Sequence, residues 1–208
     1  MAKVKYTKSA LRDQQHRLEQ LERYLPTLQL KKAMLQAEVD KARAEIAARH
    51  SEFCAKRSQI EECAELLTDD RTFVDFDALG VISKVERETE NIAGVLVPNL
   101  KKVVFVSYLY PLFDSPPWLE QAILMIESMV TSRVSFLVAR EKESALKEEL
   151  RRVSIRVNLF EKVLIPRTQK TIRRIRVFLG DQELAAISRA KVAKAKIEAH
   201  KEEMVHAH

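Results

Sequence analysis

Apolar residues in the first third of the chain recur every three and four positions. A strict alternating 4/3 seam runs from position 11 to position 67. Thirteen of its 17 positions are apolar: Leu11, Leu18, Leu21, Leu25, Leu28, Leu35, Val39, Ala42, Ile46, Phe53, Ile60, Cys63 and Leu67. A chain with 46% hydrophobic residues would place about 8 there by chance, so the pattern predicts a long coiled-coil helix over 1–68. Gln14, Lys32, Arg49 and Lys56 break the seam; such residues cost stability but fix register against one partner. Pro26 removes a backbone hydrogen bond inside this helix and is expected to kink it.

A second seam lies in the last third: Leu146, Leu150, Val153, Val157, Phe160, Leu164, Thr168, Ile172, Ile175 and Leu179. Its consecutive four-residue steps around Pro166 form a stutter, which locally unwinds a left-handed supercoil. Ser115 is expected to cap this helix with Pro116 in its first position, and Glu120 suits the first turn. Pro166 and Gly180 are its only breakers before the end. At 1.5 Å per residue, the helix carrying the first seam and one running from Trp118 to about His200 would be roughly 90 and 120 Å long, the last segment, 115–208, comprising that helix and a tail.

The middle, 69–114, has a different rhythm. It is rich in Val and Ile, with Val81, Ser83 and Val85 alternating. This predicts a short antiparallel hairpin, 81–87 against 95–106, turned near Asn91–Gly94. Pro98 would confine its strand to an edge or a bulge. The expected fold is mainly α: one domain in which the two terminal helices fold back as an antiparallel coiled coil around a small β-hairpin region.

Composition supports that division. Only three glycines and six prolines occur in 208 residues, with 32% charged, a profile of long helices. Residues 1–68 carry 13 basic and 10 acidic side chains, 69–131 carry 5 and 10, and 132–208 carry 18 and 10. An acidic middle on a basic rod suggests two different partners. From Lys162 to Gly180 there are six basic residues and no acidic one: Lys162, Arg167, Lys170, Arg173, Arg174 and Arg176.

Candidate chemistry is sparse. No Walker-type loop is present, so nucleotide binding is not expected. Asp69, Asp70, Asp75 and Asp77 have no accompanying nucleophile, His or Gly-rich loop and read as helix-end and turn residues. His200, His206 and His208 near the end read as a frayed tail in preference to a metal site. Cys54 and Cys63 fall on opposite sides of one helix and read as reduced thiols of a cytosolic protein. No metal, cofactor, signal peptide or bilayer-length apolar run is expected.

Four stretches resemble the central-stalk D subunit of V-type and A-type rotary ATPases. RVNLFEKVLIPRTQKTI, Arg156 to Ile172, is similar to the family's RVNxxExVLIPRxxxTI. VKYTKSAL (Val4–Leu11), LQLKKAML (Leu28–Leu35) and NIAGVLVP (Asn91–Pro98) resemble its KPTKSxL, LKxKRDxL and NIMGVxVP. Tyr6 stands where a proline is usual, Ala33 replaces an acidic residue, and Leu25-Pro26-Thr27 replaces a Gly-His-Lys-like stretch.

The resemblance implies a non-catalytic rotor shaft, coupling ATP hydrolysis or synthesis to proton or sodium transport. Its implied partners are the catalytic and regulatory subunits of the hexamer, a small companion stalk subunit and a cap subunit on the membrane ring. The complex would be cytoplasmic and peripheral to the membrane, with no nucleic acid and no membrane insertion by this chain. Lys31, Lys32, Arg156 and the six-residue basic collar are the expected hexamer contacts. Asn91, Ile92, Gly94, Val95, Val97 and Pro98 are the expected contacts of the hairpin with the stalk. The competing readings are a basic coiled coil that binds nucleic acid and a structural adaptor.

Overall fold

The computed structural model describes residues 5–67, 79–110 and 115–206, with side chains through 5–63, 79–110 and 115–198. Helix α1 (Lys8–Leu67) is followed by strands β1 (Ile82–Ile92) and β2 (Val95–Phe105), then by α2 (Leu119–Leu159). A single π-helical turn, Phe160–Leu164, leads into α3 (Ile165–His206). The chain is thus mainly α, with long helices at both ends and one antiparallel hairpin between them. It divides into two compact units: Met1–Gln29 with Ile155–His208, and Leu30–Ser154.

In the unit built from the chain ends, Thr7 starts α1, its Oγ1 accepting the Ala10 N–H at 3.2 Å. This is the N-cap geometry that satisfies an otherwise orphaned donor. Tyr6 packs on Phe178 with ring centroids 5.0 Å apart, and Lys8 pairs with Glu183 at 3.5 Å. Farther along, Leu18 and Glu22 share a groove with Gln169 and Ile172. Rising numbers on α1 thus meet falling numbers on α3, so the helices are antiparallel. Leu21, Thr168, Ile172 and Ile175 are buried in this unit, together with Val157 near the end of the preceding helix.

Both prolines lie in this unit. Helix α1 continues through Pro26, where the Thr27 hydroxyl donates to the Tyr24 carbonyl at 2.8 Å. At Pro166 the stutter takes a specific form. Proline cannot donate to the carbonyl four residues back, and its ring crowds that turn. The preceding turn widens, and the Ile165 N–H bonds to the Phe160 carbonyl, five residues back. Such one-turn π-bulges absorb a local defect without ending a helix. Gly180 does not interrupt α3, because neighbouring helical residues outweigh one glycine's cost of about 1 kcal/mol.

The other unit holds the hairpin and the central parts of α1 and α2. Leu35, Val39, Ala42, Val138, Ala139, Leu146 and Val153 form its buried core. Ion pairs rim the antiparallel interface: Lys31–Glu149 at 3.4 Å, Arg43–Glu143 at 3.3 Å and Lys142–Glu45 at 3.2 Å. Helix α2 begins at Leu119, later than the Ser115–Pro116 start expected from sequence. A turn closed by the Leu119 N–H on the Pro116 carbonyl comes first, and the Trp118 carbonyl accepts the first helical bond, from Ala122. Part of the α2–α3 segment, 18 residues with a mean hydropathy of 1.6, is long and apolar enough to cross a bilayer by composition. This corrects the expectation that no such run exists.

Strand β1 is longer than the 81–87 span expected, because Arg87–Ile92 pair with Val95–Leu100 despite their charge. Val97 and Val103 supply the buried anchors on the opposing strand, and β-propensity yields to such context. The two-residue turn Ala93–Gly94 has φ of 52° and 82°, the left-handed pair of a type I′ hairpin. Asn91 Oδ1 accepts the Gly94 N–H at 2.9 Å and holds this turn. Pro98 pairs opposite Thr89, tolerated because each strand of a two-stranded sheet has one free edge.

Candidate partner-binding surfaces

On the first seam, Leu35, Val39 and Ala42 are buried, and Leu18, Leu28, Ile46, Phe53 and Ile60 are half-buried. Gln14, Lys32 and Lys56 are half-buried too, while Arg49 is exposed. The second seam has Leu146, Val153, Val157, Thr168, Ile172 and Ile175 buried, with Leu150, Phe160, Leu164 and Leu179 half-buried. Thr168 satisfies its hydroxyl on the Leu164 carbonyl at 2.8 Å, so a polar residue fits the apolar interface without an orphaned group.

The basic collar has the opposite character. Lys162 sits in the π turn, and Arg167, Lys170, Arg173, Arg174 and Arg176 follow on α3. All six are exposed, and none forms an ion pair with a described residue. Glu19 and Glu22 share a groove with Arg173 and Arg176, yet no ion pair closes across it. Helical spacing aligns Arg167, Lys170 and Arg174 on one face, with Arg173 and Arg176 on the next. Arg156 is likewise exposed. Lys31 differs, because it is part-buried and bonded to Glu149, with its Nζ also 3.7 Å from the Cβ position of Gly94. Its pair with Glu149 lies within its own unit, beside the hairpin tip.

On the hairpin, Val97 is fully buried, Leu96 is largely exposed, and Ile92, Gly94 and Asn91 crowd the turn. Arg87 ties β1 to α2 through Glu141 at 2.8 Å, a contact that sequence reading missed because only tertiary packing brings two residues 54 positions apart together. The acidic positions Asp69, Asp70, Asp75 and Asp77, and the side chains of His200, His206 and His208, lie outside the described residues.

The family model for the ATP synthase D subunit matches residues 10–195. The chain belongs to the ATP synthase D-subunit family. The family match spans α1, the hairpin, the π turn and most of α3, so every surface described above falls within it. Among relatives, the V-type ATP synthase D subunit of Chlamydia muridarum is 42% identical over 201 residues, covering 97% of this chain and 99% of its own. That of Chlamydia felis is 43% identical over 203 residues, 97% of each chain. That of Chlamydia pneumoniae is 39% identical over 198 residues, 95% of each. The likeness of this D-subunit chain to its relatives thus extends over both helical ends as well as the hairpin.

Proposed function

We propose that this chain is the central rotor shaft of a V-type ATPase or ATP synthase. It would couple nucleotide chemistry in a surrounding hexamer to ion movement through a membrane ring. The observation that carries the reading is membership of the ATP synthase D-subunit family over nearly the whole chain, joined to an antiparallel helical hairpin. One chain folded back on itself presents a different surface in every direction. Three similar catalytic sites around such a shaft would each meet a different face, as stepwise rotation requires; a symmetric parallel dimer could not do this.

In this role the subunit is non-catalytic, peripheral to the membrane and cytoplasmic. Its partners are the catalytic and regulatory subunits, a small companion stalk subunit and a cap subunit on the ring. Lys162, Arg167, Lys170, Arg173, Arg174 and Arg176, with Arg156 and Lys32, meet acidic loops of the hexamer. Support for this comes from the exposure of the collar and the absence of ion pairs to it among the described residues. Lys31 contributes less, being held by Glu149. Asn91, Ile92, Gly94, Val95, Val97 and Pro98 serve the stalk, with Val97 acting through the seating of the hairpin. Family membership does not favour the nucleic-acid-binding or adaptor readings.

Exposed charge contacts are each worth about 0–1 kcal/mol, so the collar can break and remake them as the shaft steps. Single Ala substitutions at Arg167, Lys170, Arg173, Arg174 or Arg176 are expected to leave assembly intact. The fivefold variant loses the summed field while keeping the apolar seam. Rotor retention and ATPase rate in the reconstituted complex test this. A fivefold variant, folded by circular dichroism, that assembles and turns over like the parent at physiological salt would refute the collar's role. Failure of the unsubstituted chain to assemble with the hexamer would refute the rotor reading itself.

A further inference from the structure

The Leu30–Ser154 unit contains a polar cleft of about 260 Å³, walled by β2, α1 and α2. It is smaller than the pockets that take drug-sized molecules. Five cations line it: Arg49, Lys56, Lys101, Lys102 and Lys142. Only two carboxylates, Glu45 and Glu52, stand among them, leaving three positive charges in excess.

The arrangement is built by the fold. The hairpin register passes from Glu86 opposite Lys102 to Arg87 opposite Leu100, so Lys101 is an extra residue. A bulge of this kind re-aims side chains that would otherwise alternate across a strand, and here both adjacent lysines line one cleft. Neither has an ion-pair partner among the described residues. On the helical wall, Lys56 Nζ is fixed at 2.7 Å from Ser132 Oγ and 2.9 Å from Glu52. Lys142 is fixed on Glu45 at 3.2 Å. Ser135 adds a half-buried hydroxyl on the same wall, with no hydrogen-bond partner among the described residues.

We propose that this cleft is a binding site for a small polyanion of the diphosphate class, bridging the two strand lysines to the helical cations. Ammonium groups gathered from three elements suit tetrahedral oxyanions, which accept charge-assisted hydrogen bonds from several directions. The surplus charge calls for a multiply charged ligand, and the small volume for a compact one. Binding would fasten β2 to both helices and so brace the hairpin.

The probe is inorganic pyrophosphate, titrated calorimetrically into the full chain at physiological salt. The expected result is saturable 1:1 binding, weakened about tenfold or more by the double substitution Lys101→Ala/Lys102→Ala. The control, Lys194→Ala/Lys196→Ala, removes the same charge outside the cleft and should leave the affinity unchanged. Lys142→Gln, from the opposite wall, should weaken binding in the same direction as the strand pair. Hydrogen exchange in β2 should slow when pyrophosphate is bound. No saturable binding at about 1 mM pyrophosphate, or equal weakening by the strand pair and the control, would overturn the proposal. These measurements read binding alone and do not depend on the rotor role.

Discussion

Two glycines show how differently one residue type can be constrained. Gly80 has φ of +71°, and a Cβ there would lie 2.7 Å from Ile126 Cγ2. Left-handed backbone costs a residue with a side chain about 1–2 kcal/mol, and forced overpacking typically about 1–3 kcal/mol more. Gly80→Ala should therefore destabilise the protein by more than about 2 kcal/mol in urea titration. A Cβ at Gly180, inside α3, meets nothing within 4 Å. There the substitution restores helix propensity, and Gly180→Ala should stabilise by about 0.5–1 kcal/mol. Neither difference is visible in the sequence, where each is one glycine among polar and apolar neighbours. A carboxylate shows the same dependence on context. Glu143 is held below its ordinary value of 4.5, chiefly by the Lys147 hydrogen bond and then by Arg43, with burial opposing them. A carboxyl whose folded pKa is depressed adds stability that is complete above its unfolded pKa and disappears as pH falls through the folded one. Stability should thus decline as pH drops below about 4.5, and Glu143→Gln should flatten that acid limb in a pH series of thermal melts.

Among the elements, the helical hairpin was the most legible. Heptad repetition is a long-range statistical signal, and one misfit such as Lys32 or Gln14 hardly weakens it. Strand β1 was less so, since Glu86, Glu88 and Glu90 disguise half of it and only pairing with β2 completes it. The two helical prolines separate cleanly. Pro26 lies exposed inside α1 and costs the helix a hydrogen bond, so Pro26→Ala should stabilise by about 1–3 kcal/mol. Pro166 is preceded by a π turn that gives the Ile165 N–H a partner, so Pro166→Ala should gain less. Chemical denaturation of the two variants side by side measures the difference. Equal gains would mean that the π turn relieves nothing.

For the molecule as a whole, charge is the governing quantity. The formal net charge is +6, and the collar concentrates part of it on one helix. Any affinity for DNA should be a counterion effect without sequence preference, falling steeply between about 50 and 200 mM salt. Fluorescence anisotropy with two unrelated duplexes checks this, and sequence-specific binding that survives the higher salt would reopen the nucleic-acid reading. Retention of the rotor in its complex should also weaken with salt, but less steeply, because apolar contacts are not screened.

By itself, the sequence determined the class of fold, the positions of the helix breakers and the family. Each is encoded in periodicity or in ordered motifs that need no knowledge of distant neighbours. Tertiary structure decided the rest. It tied Lys31 to Glu149 and Arg87 to Glu141, partners 118 and 54 residues apart, while giving the collar no ion-pair partner among the described residues. It turned the stutter at Pro166 into a π turn and brought Lys101 and Lys102 into one cleft through a strand bulge. The physical reason is that a charge's meaning depends on what lies within a few ångströms of it, and in a hairpin fold those neighbours come from the far end of the chain.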